Sequence, residues 1–358
     1  MNDIPEKISN TSVQVKVSRL AITGLVLSII GTIFMTTCTF LDKYIEPSIF
    51  LFEVFSTIAI ILGIISSIRI EASGGKITGE KLSDAAILLP IFTFFLTIFL
   101  TGLQLQRKIA FRIVCGSNVS NIGKQMLIYA NDYDDKFPFI GNQGMSWGTS
   151  VNWDAATRQE AYGINDDGTG GSATISSSLY LLIKYMDVTP KSFICRGDKK
   201  MSEFRPEDYG VTGKSLTDFW DFGPEPWKHN SFSYQMPFGT NILTTSNEPG
   251  IAIMADRNPW MASRGWKVKD FNTFNPDGEK ADIQKGNTPT HANEGQNVMY
   301  LDSHVNFEVS PLCGINEDNI YTSWNGSDIR KGTKPVFGSS PSSEKDSLLV
   351  NDSPVKKP

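Results

Sequence analysis

Two of the three histidines of this chain lie in one short segment, "HANEGQNVMYLDSHVNFEVSP" (residues 291–311), together with a carboxylate. His291, Asp302 and His304 offer imidazole nitrogens and a carboxylate oxygen, which are donor atoms that proteins use to bind Zn²⁺ and other divalent cations. Asp302 and His304 are two residues apart, so both would point to the same side of an extended strand. Asp256, in "IAIMADRNP" (251–259), could meet them and complete a metal site or a polar pocket.

The same residues also have a structural interpretation. The runs "QNVMYLD" and "HVNFEV" predict two strands of a hairpin that turns at Asp302 and Ser303. A buried hydrogen bond between a histidine and an aspartate would then fix the ends of this hairpin. The sequence favours this interpretation and leaves a divalent-metal or glycan site as the alternative. Because the chain has no P-loop, H-E-x-x-H or G-x-G-x-x-G motif, we predict that it is not an enzyme.

Three long apolar runs occupy the first third of the chain, at residues 20–41, 48–68 and 85–105. Each is about as long as the roughly 20 residues that a helix needs to cross a bilayer. The second run carries Glu53 near its start, and the third carries Pro90 within its first turns, where a missing N–H matters least. Helices of a soluble core usually keep a polar stripe, and these runs have none. We therefore predict three membrane spans.

Basic residues near the spans predict the orientation, because cytoplasmic loops carry an excess of lysine and arginine. Most of them precede the first run or lie between the second and the third: Lys7, Lys16, Arg19, Arg69, Lys76 and Lys81. We predict a multi-pass protein of the inner membrane, with the residues after about 105 outside the cytoplasm. The lipid bilayer is then its first partner. A net charge of −5 without a basic block argues against nucleic acid as a partner.

Four cysteines limit the disulfide chemistry of the chain. Cys115, Cys195 and Cys313 fall in the part predicted to lie outside, so at most one disulfide forms there and one thiol is left over. Their spacing matches no zinc-binding motif, and the pairing stays open.

Residues 103–131 continue the third apolar run without a proline. Apolar or small residues recur there at intervals of three and four, which predicts one long helix, half in lipid and half amphipathic. It should end at Asn131, before "DYDDKFPF". The oxygens of that acidic segment could bind Ca²⁺, but Phe137 and Gln143 stand where an EF-hand needs glycine and glutamate, so a turn explains the segment equally well.

The rest of the chain predicts an α+β domain. "SSSLYLLIKYM" (176–186) has the pattern of a short helix, and short β-like runs separated by turn residues follow it. A long helix packed on a small antiparallel sheet is the simplest architecture that buries these faces. Residues 326–358 are rich in Ser, Pro and Lys and predict a disordered tail.

Two families resemble parts of this sequence. "VSRLAITGLVLSIIGTIF" and "IAIILGIISSIRIEASGGKITGEKLSDAAILLPIF" resemble the bacterial membrane module known as domain of unknown function 4190, over about residues 17–100. "RIVCGSNVSNIGKQMLIYANDYDDKFP", "FICRGD", "FSYQM", "IMADRNP" and "HANEGQNVMYLDSHVNFEVSP" resemble the bacterial pseudopilin-like family called prepilin-type processing-associated, or domain of unknown function 1559, over about 107–325. The second resemblance implies a type IV pilin-like fold with a spine helix, and an association with type II secretion or pilus-like assemblies.

This chain departs from the second family in three ways. Ten residues separate His291 from Asp302, where nine are usual, and Ser303 stands where the His…Asp-Gly signature has glycine. The prepilin cleavage and methylation stretch is absent, so the resemblance does not extend to entry into a pilus fibre. The resemblance therefore implies a membrane-anchored structural or interaction protein whose partners are envelope or secretion-system proteins, or further copies of itself.

The predicted layout has four parts. Residues 1–16 form a cytoplasmic tail, 17–105 a three-span membrane module, 106–325 an extracytoplasmic pilin-like domain and 326–358 the disordered tail. No cofactor is predicted beyond the possible divalent metal at His291, Asp302, His304 and Asp256.

Overall fold

The computed structural model describes residues 15–40, 45–141, 144–239, 241–262, 267–324, 326 and 328–354, without the side chains of 36–40 and 45–49. The predicted cytoplasmic tail, 1–16, falls almost wholly outside the described residues. Contacts divide the chain into two compact units, Met1–Arg107 and Lys108–Pro358.

The first unit is built from apolar helices. Its elements are β1 (Lys16–Val17), α1 (Arg19–Phe40), α2 (Ile45–Ala72), β2 (Ile77–Thr78) and the first part of α3 (Glu80–Asp132). β1 and β2 pair in parallel. Small residues let the helices approach closely: the Ser66 hydroxyl lies 2.7 Å from that of Ser18 and 2.9 Å from that of Ser83. A Cβ atom at Gly63 would come within 2.7 Å of the Ile87 side chain. Small and hydroxyl residues at helix contacts are typical of membrane helices.

Two described helical segments are long and apolar enough to cross a membrane, Phe50–Ala72 and Glu80–Asp132. Only 28% and 17% of their most apolar windows are buried, so most of the apolar side chains point outward. The described apolar part of α1, Arg19–Met35, is shorter. The structure thus gives two apolar helices that could span a membrane by length and composition, and the predicted three-span module is not confirmed.

Helix α3 runs without a break from Glu80 to Asp132 and contains Pro90 near its start. In the second unit it buries Val119, Ile122, Met126 and Tyr129, as its apolar periodicity predicts, and also Cys115. The same stripe does not extend to the start of that unit, because Ile109 and Ile113 are 39% and 64% exposed.

The acidic segment after α3 forms a turn. Asp134 and Asp135 adopt left-handed backbone conformations with φ of 55° and 59°. The Asp135 N–H donates to the Ala130 carbonyl, and the Asp135 carboxylate accepts from the Thr245 hydroxyl at 3.2 Å. Hydrogen bonds to the end of α3 and to the loop at Thr245 therefore explain the position of Asp135 without a bound ion.

The remaining helices of the second unit are short: α4 (Arg158–Tyr162), α5 (Ile175–Met186) and α6 (Lys280–Ile283). Helix α5 begins one residue before the predicted start, because the Thr174 side chain caps it by accepting from the Ser177 N–H. The loops of this unit contain short 3₁₀ turns, at Pro190–Phe193, Pro206–Tyr209, Leu216–Asp218, Pro226–Lys228, Phe271–Thr273, Gln284–Gly286 and Ile315–Glu317.

A five-stranded antiparallel sheet forms the centre of the second unit. Its strands are β5 (Phe232–Gln235), β6 (Ala252–Asp256), β7 (Gln296–Tyr300), β8 (Val305–Glu308) and β9 (Leu349–Val350), in the spatial order β8-β7-β6-β5-β9. A separate parallel pair joins Ser146–Trp147 to Ser172–Ala173. The sheet and the long helices confirm the mixed helix-and-sheet prediction at this level.

Both faces of the sheet are covered. Met299 packs with the buried side of α3 in the larger apolar cluster, and a Cβ atom at Gly123 of α3 would meet its sulfur. Val298 and Tyr300 point to the other face and pack with Trp260 and Tyr321. Period-two alternation in this run of the sequence predicts Val298 and Tyr300 on one face and Met299 and Leu301 on the other, and the side chains along β7 follow it.

The predicted disordered tail is wrong for the part that the structure describes, which includes 328–354. Leu348, Leu349 and Val350 are fully buried, and β9 pairs with β5 through Tyr234 and Gln235. Three adjacent apolar residues are enough to add a short strand to an existing edge. The polar composition around them concealed this strand.

Candidate functional site

The structure places the four predicted site residues in two pairs. His291 and Asp256 form a buried pair, with 3.3 Å between Nε2 and Oδ2. Asp302 and His304 form an exposed pair, with 2.5 Å between Oδ1 and Nδ1. Among the described residues, the four do not supply a group of three donors within 4.8 Å of one another. A single metal site built from all four is therefore not assembled.

The buried pair sits where β6, β7 and the loop before β7 meet. Asp256, the last residue of β6, accepts from the backbone N–H of Asn297 at 2.6 Å and from its side-chain amide at 3.1 Å. The same amide lies 3.2 Å from His291 Nε2. These contacts use Asp256 Oδ2, whereas Oδ1 is buried without a hydrogen-bond partner among the described residues. A buried acceptor without a partner is costly, so this oxygen is an unusual feature of the site.

A disulfide bond adjoins the His291 imidazole. Cys115 of α3 is bonded to Cys195, with 5.2 Å between their Cα atoms, and Cys195 Sγ lies 3.6 Å from His291 Nε2. Gly197 leaves room for this contact, because a Cβ atom there would lie 2.6 Å from the Thr290 carbonyl oxygen and 3.3 Å from the imidazole. The prediction of one disulfide and one spare thiol fits this pairing, and Cys313 is a free cysteine of the second unit.

A buried ion pair continues the polar cluster. The Nε atom of Arg257, the residue after Asp256, lies 3.2 Å from Asp198 Oδ2, and both side chains are almost completely buried. Arg257 also donates to the Asn230 carbonyl. Segments that are far apart in sequence thus meet at one place: α3, "FICRGD", "IMADRNP" and "HANEGQNV".

The exposed pair belongs to the β7–β8 turn. The Asp302 carboxylate accepts from the His304 backbone N–H at 3.1 Å, and the His304 ring stacks on Tyr300 with 4.4 Å between centroids. Partial desolvation raises the pKa of Asp302, but the hydrogen bonds from His304 lower the pKa overall. Ser303 takes the left-handed conformation, φ 70°, that a glycine would adopt without strain. This pair therefore shapes the turn.

An open groove of about 590 Å³ runs beside the hairpin. Helix α3 lines it with Ile113 and Gly116, and the hairpin lines it with Asn297, His304 and Phe307. At its rim, the Arg112 guanidinium lies 4.5 Å over the Phe307 ring and forms an ion pair with Glu294.

Two buried carboxylate pairs escaped the sequence analysis. Burial, and then the charge of Asp352, raise the pKa of Asp221 to about 7, although the hydroxyls of Thr174 and Ser176 donate to Asp221 and oppose the shift. Asp352 accepts from the Ile175 and Ser176 N–H groups and so ties the C-terminal segment to the start of α5. The sequence feature that could have indicated Asp352 is its position shortly after the apolar residues Leu348, Leu349 and Val350.

The second carboxylate pair is Asp318 and Asp346. Burial, and then the charge of Asp346, raise the pKa of Asp318 to about 8, and burial raises the pKa of Asp346. Asp318 accepts from the Ser347 N–H at 2.9 Å, which again anchors the C-terminal segment. Nothing in the spacing of these aspartates along the chain indicated that they would meet.

His291, Asp256, Asn297, Cys195 and Cys115 form the His291 cluster. Its geometry suits a structural role, because its side chains are buried, its hydrogen bonds join β6, β7 and the loop before β7, and its disulfide adds α3. The Asp302 and His304 side chains are accessible but are paired with each other. Comparison with protein-family models, with curated proteins and with solved structures finds no match to this chain.

Proposed function

We propose that this chain is a membrane-anchored structural or interaction protein without enzymatic activity, which presents a pilin-like α+β domain on the outer side of the inner membrane. Its partners would be envelope or secretion-system proteins of type II secretion or pilus-like assemblies, or further copies of itself. The observation that carries the proposal is the continuity of α3 from Glu80 to Asp132. One helix supplies both an apolar segment long enough to span a bilayer and the buried stripe under the sheet.

The buried polar cluster supports a structural role over a binding role. His291 is 6% exposed and Asp256 is fully buried, so a soluble substrate would not reach them without opening the fold. The cluster instead joins α3 to the sheet through Cys115, Cys195 and Asn297.

The disulfide supports the proposed location. Disulfides persist in oxidising compartments and are rare in the cytoplasm. The Cys115–Cys195 bond joins residues 80 apart in sequence, within the unit that we propose to lie outside. Basic residues around the first two apolar runs favour the same orientation.

The face of α3 that does not contact the sheet offers an interaction surface. Ile113, Val114 and Ile128 are 64%, 42% and 49% exposed. Exposed apolar residues along one helix are a common basis of helix-to-helix association.

The proposal divides into a location and an interaction, and each has its own test. For the location, alkaline phosphatase fused after Pro358 of the full chain should be active in cells, because this enzyme matures only outside the cytoplasm. An inactive fusion that is expressed and stable contradicts the proposed orientation.

For the interaction, a photo-crosslinking amino acid at Ile113 of the full chain should capture a second copy or an envelope protein. The matched control is the same amino acid at Asp166, an exposed position outside α3. Crosslinking at Ile113 that does not exceed the Asp166 level would contradict an interaction through this face.

A further inference from the structure

Two sulfurs and an imidazole nitrogen lie together inside the second unit. The sulfurs of Cys115 and Cys195 and a ring nitrogen of His291 are all within 4.8 Å of one another, and all three residues are buried. This is the only such group of three cysteine, histidine or carboxylate donors in the part of the chain that the structure describes. Two thiolates and one imidazole are a donor set that binds Zn²⁺ in preference to harder cations.

We propose that Cys115, Cys195 and His291 form a Zn²⁺ site when the disulfide between the two cysteines is reduced, with Asp256 as the carboxylate nearest to the fourth position. The cysteine pair would then exchange a covalent bond for a metal. Either state keeps α3 joined to the loop that carries Cys195 and to the loop that carries His291.

The distances around the imidazole fit a tetrahedral zinc. Zn–S bonds of about 2.3 Å and Zn–N or Zn–O bonds of about 2.0–2.1 Å place a sulfur about 3.6 Å from a nitrogen, and a nitrogen about 3.3 Å from an oxygen. The structure has 3.6 Å between Cys195 Sγ and His291 Nε2, and 3.3 Å between His291 Nε2 and Asp256 Oδ2. The distances from His291 to Cys195 and to Asp256 therefore already match those around a tetrahedral zinc.

Asp256 offers an unused oxygen to the site. Its Oδ1 is buried and has no hydrogen-bond partner among the described residues. Asp256 lies outside the 4.8 Å group of the other three donors, so its carboxylate must shift to reach a metal held by both sulfurs. Reduction allows this shift, because two thiolates bound to one zinc lie about 3.8 Å apart and the metal position then moves relative to that of the disulfide.

The change of state requires a reductant, and a dithiol is the natural class. The dithiol gives two electrons and two protons to the Cys115–Cys195 bond, the S–S bond breaks into two thiols, and the dithiol becomes a disulfide. Zn²⁺ then displaces the two thiol protons to solvent and accepts the lone pair of neutral His291. The two thiolate charges balance the charge of the metal.

The test compares the two redox states of the full wild-type chain in detergent, with Zn²⁺ alone as the probe. A phosphine reductant, which binds zinc weakly, opens the disulfide, and a chromophoric chelator competes for the metal. We expect one Zn²⁺ per reduced chain with a Kd below about 1 µM, and none for the oxidised chain. A reduced chain that takes up no zinc, or an oxidised chain that binds equally, would overturn the proposal. This comparison needs no substitution, so it does not depend on how a variant folds.

Substitutions assign the ligands. Cys115→Ser combined with Cys195→Ser should abolish binding, whereas the matched control Cys313→Ser should keep it. His291→Ala and Asp256→Asn should each weaken binding at least about tenfold, as loss of a ligand or of its neighbour does. Co²⁺ in place of Zn²⁺ should give thiolate charge-transfer absorption in the wild-type chain and in Cys313→Ser. Loss of zinc in Cys313→Ser would place the site elsewhere, and an unchanged affinity in Asp256→Asn would remove Asp256 from it.

Discussion

The Nε2 atom of His291 lies 3.3 Å from the Oδ2 atom of Asp256, although 34 residues lie between the two in sequence, and both side chains are buried. This contact joins the loop before β7 to the end of β6. The contact is buried and links two elements of the second unit, whereas the Asp302–His304 pair is exposed and lies within one turn.

Removal of His291 should destabilise the second unit. His291→Ala leaves the buried Asp256 carboxylate with one partner fewer and opens a cavity, so we expect the free energy of unfolding to fall by about 2–4 kcal/mol. His304→Ala is the matched control, because the Asp302–His304 pair is exposed and should contribute less than about 1 kcal/mol. Urea unfolding followed by tryptophan fluorescence measures both, since all seven tryptophans lie after residue 108. Equal losses in the two variants would contradict the assignment.

Relief of backbone strain should stabilise the β7–β8 turn. Ser303 has φ 70°, a conformation that glycine adopts without a steric penalty. Ser303→Gly should raise the free energy of unfolding by about 1 kcal/mol, whereas Ser303→Ala, which keeps the Cβ atom, should give no gain. The same unfolding experiment decides the matter, and a less stable Ser303→Gly variant would show that the serine hydroxyl contributes more than the strain costs.

Stability should fall as the pH rises from about 4 to about 8. Burial and the charge of Asp346 raise the pKa of Asp318 to about 8 in the folded chain, and burial and the charge of Asp352 raise that of Asp221 to about 7. Unfolded aspartates titrate near pH 3.9 and therefore bind fewer protons than the folded ones throughout this window. Rising pH then favours the unfolded state until Asp318 ionises in the folded chain.

Asp318→Asn should flatten this pH dependence, because the variant has no proton to lose at that position. Asp302→Asn, at an exposed carboxylate, serves as the control and should keep the wild-type slope. Unfolding midpoints in urea from pH 4 to pH 9 provide the measurement. A wild-type chain that grows more stable across that range would refute the assignment of protonated buried aspartates.

Truncation should reveal that the C-terminal segment belongs to the fold. Deletion of residues 346–358 removes Asp346, strand β9 and Asp352, which pairs with the start of α5. The loss of three buried apolar side chains and these carboxylate contacts should make the second unit sensitive to limited proteolysis. Deletion of residues 355–358 alone keeps Asp346, β9 and Asp352 and serves as the matched control. Equal protease resistance of the longer deletion and the full chain would argue against the role of β9.

The disulfide should appear as a difference in thiol count and in stability. Alkylation of the unfolded chain should add two more labels after reduction than before it, since Cys115 and Cys195 are bonded. Cys195→Ser should lower the free energy of unfolding by about 4 kcal/mol, the size expected for a closed loop of this length, in chain-entropy terms. An identical label count before and after reduction would show that the two sulfurs are not bonded in the isolated chain.

The sequence predicted the elements that depend on periodicity. The three-and-four spacing in α3 indicated Val119, Ile122 and Met126 as one buried stripe, and the alternation in "QNVMY" indicated opposite faces for Val298 and Met299. The same rule failed at Ile109 and Ile113, because spacings of three and four residues drift around a helix of 3.6 residues per turn, and both residues are exposed.

The C-terminal segment shows the opposite case. Its composition indicated disorder, since polar and proline residues outnumber the apolar ones in 326–358. Leu349 and Val350 nevertheless complete the sheet, because a strand of two residues needs only an open edge and buried space beside it. The composition of residues 326–358 as a whole does not reveal a strand of two residues within them.

Local sequence alone determined the apolar helices, the amphipathic continuation of α3 and the β7–β8 hairpin, because these depend on neighbours within a few residues along the chain. Only the tertiary structure decided which cysteines pair, that His291 meets Asp256 while Asp302 meets His304, and that Asp318 lies beside Asp346. Such partners come from distant elements, and their choice depends on how the sheet and the helix bury one another, which no local spacing records.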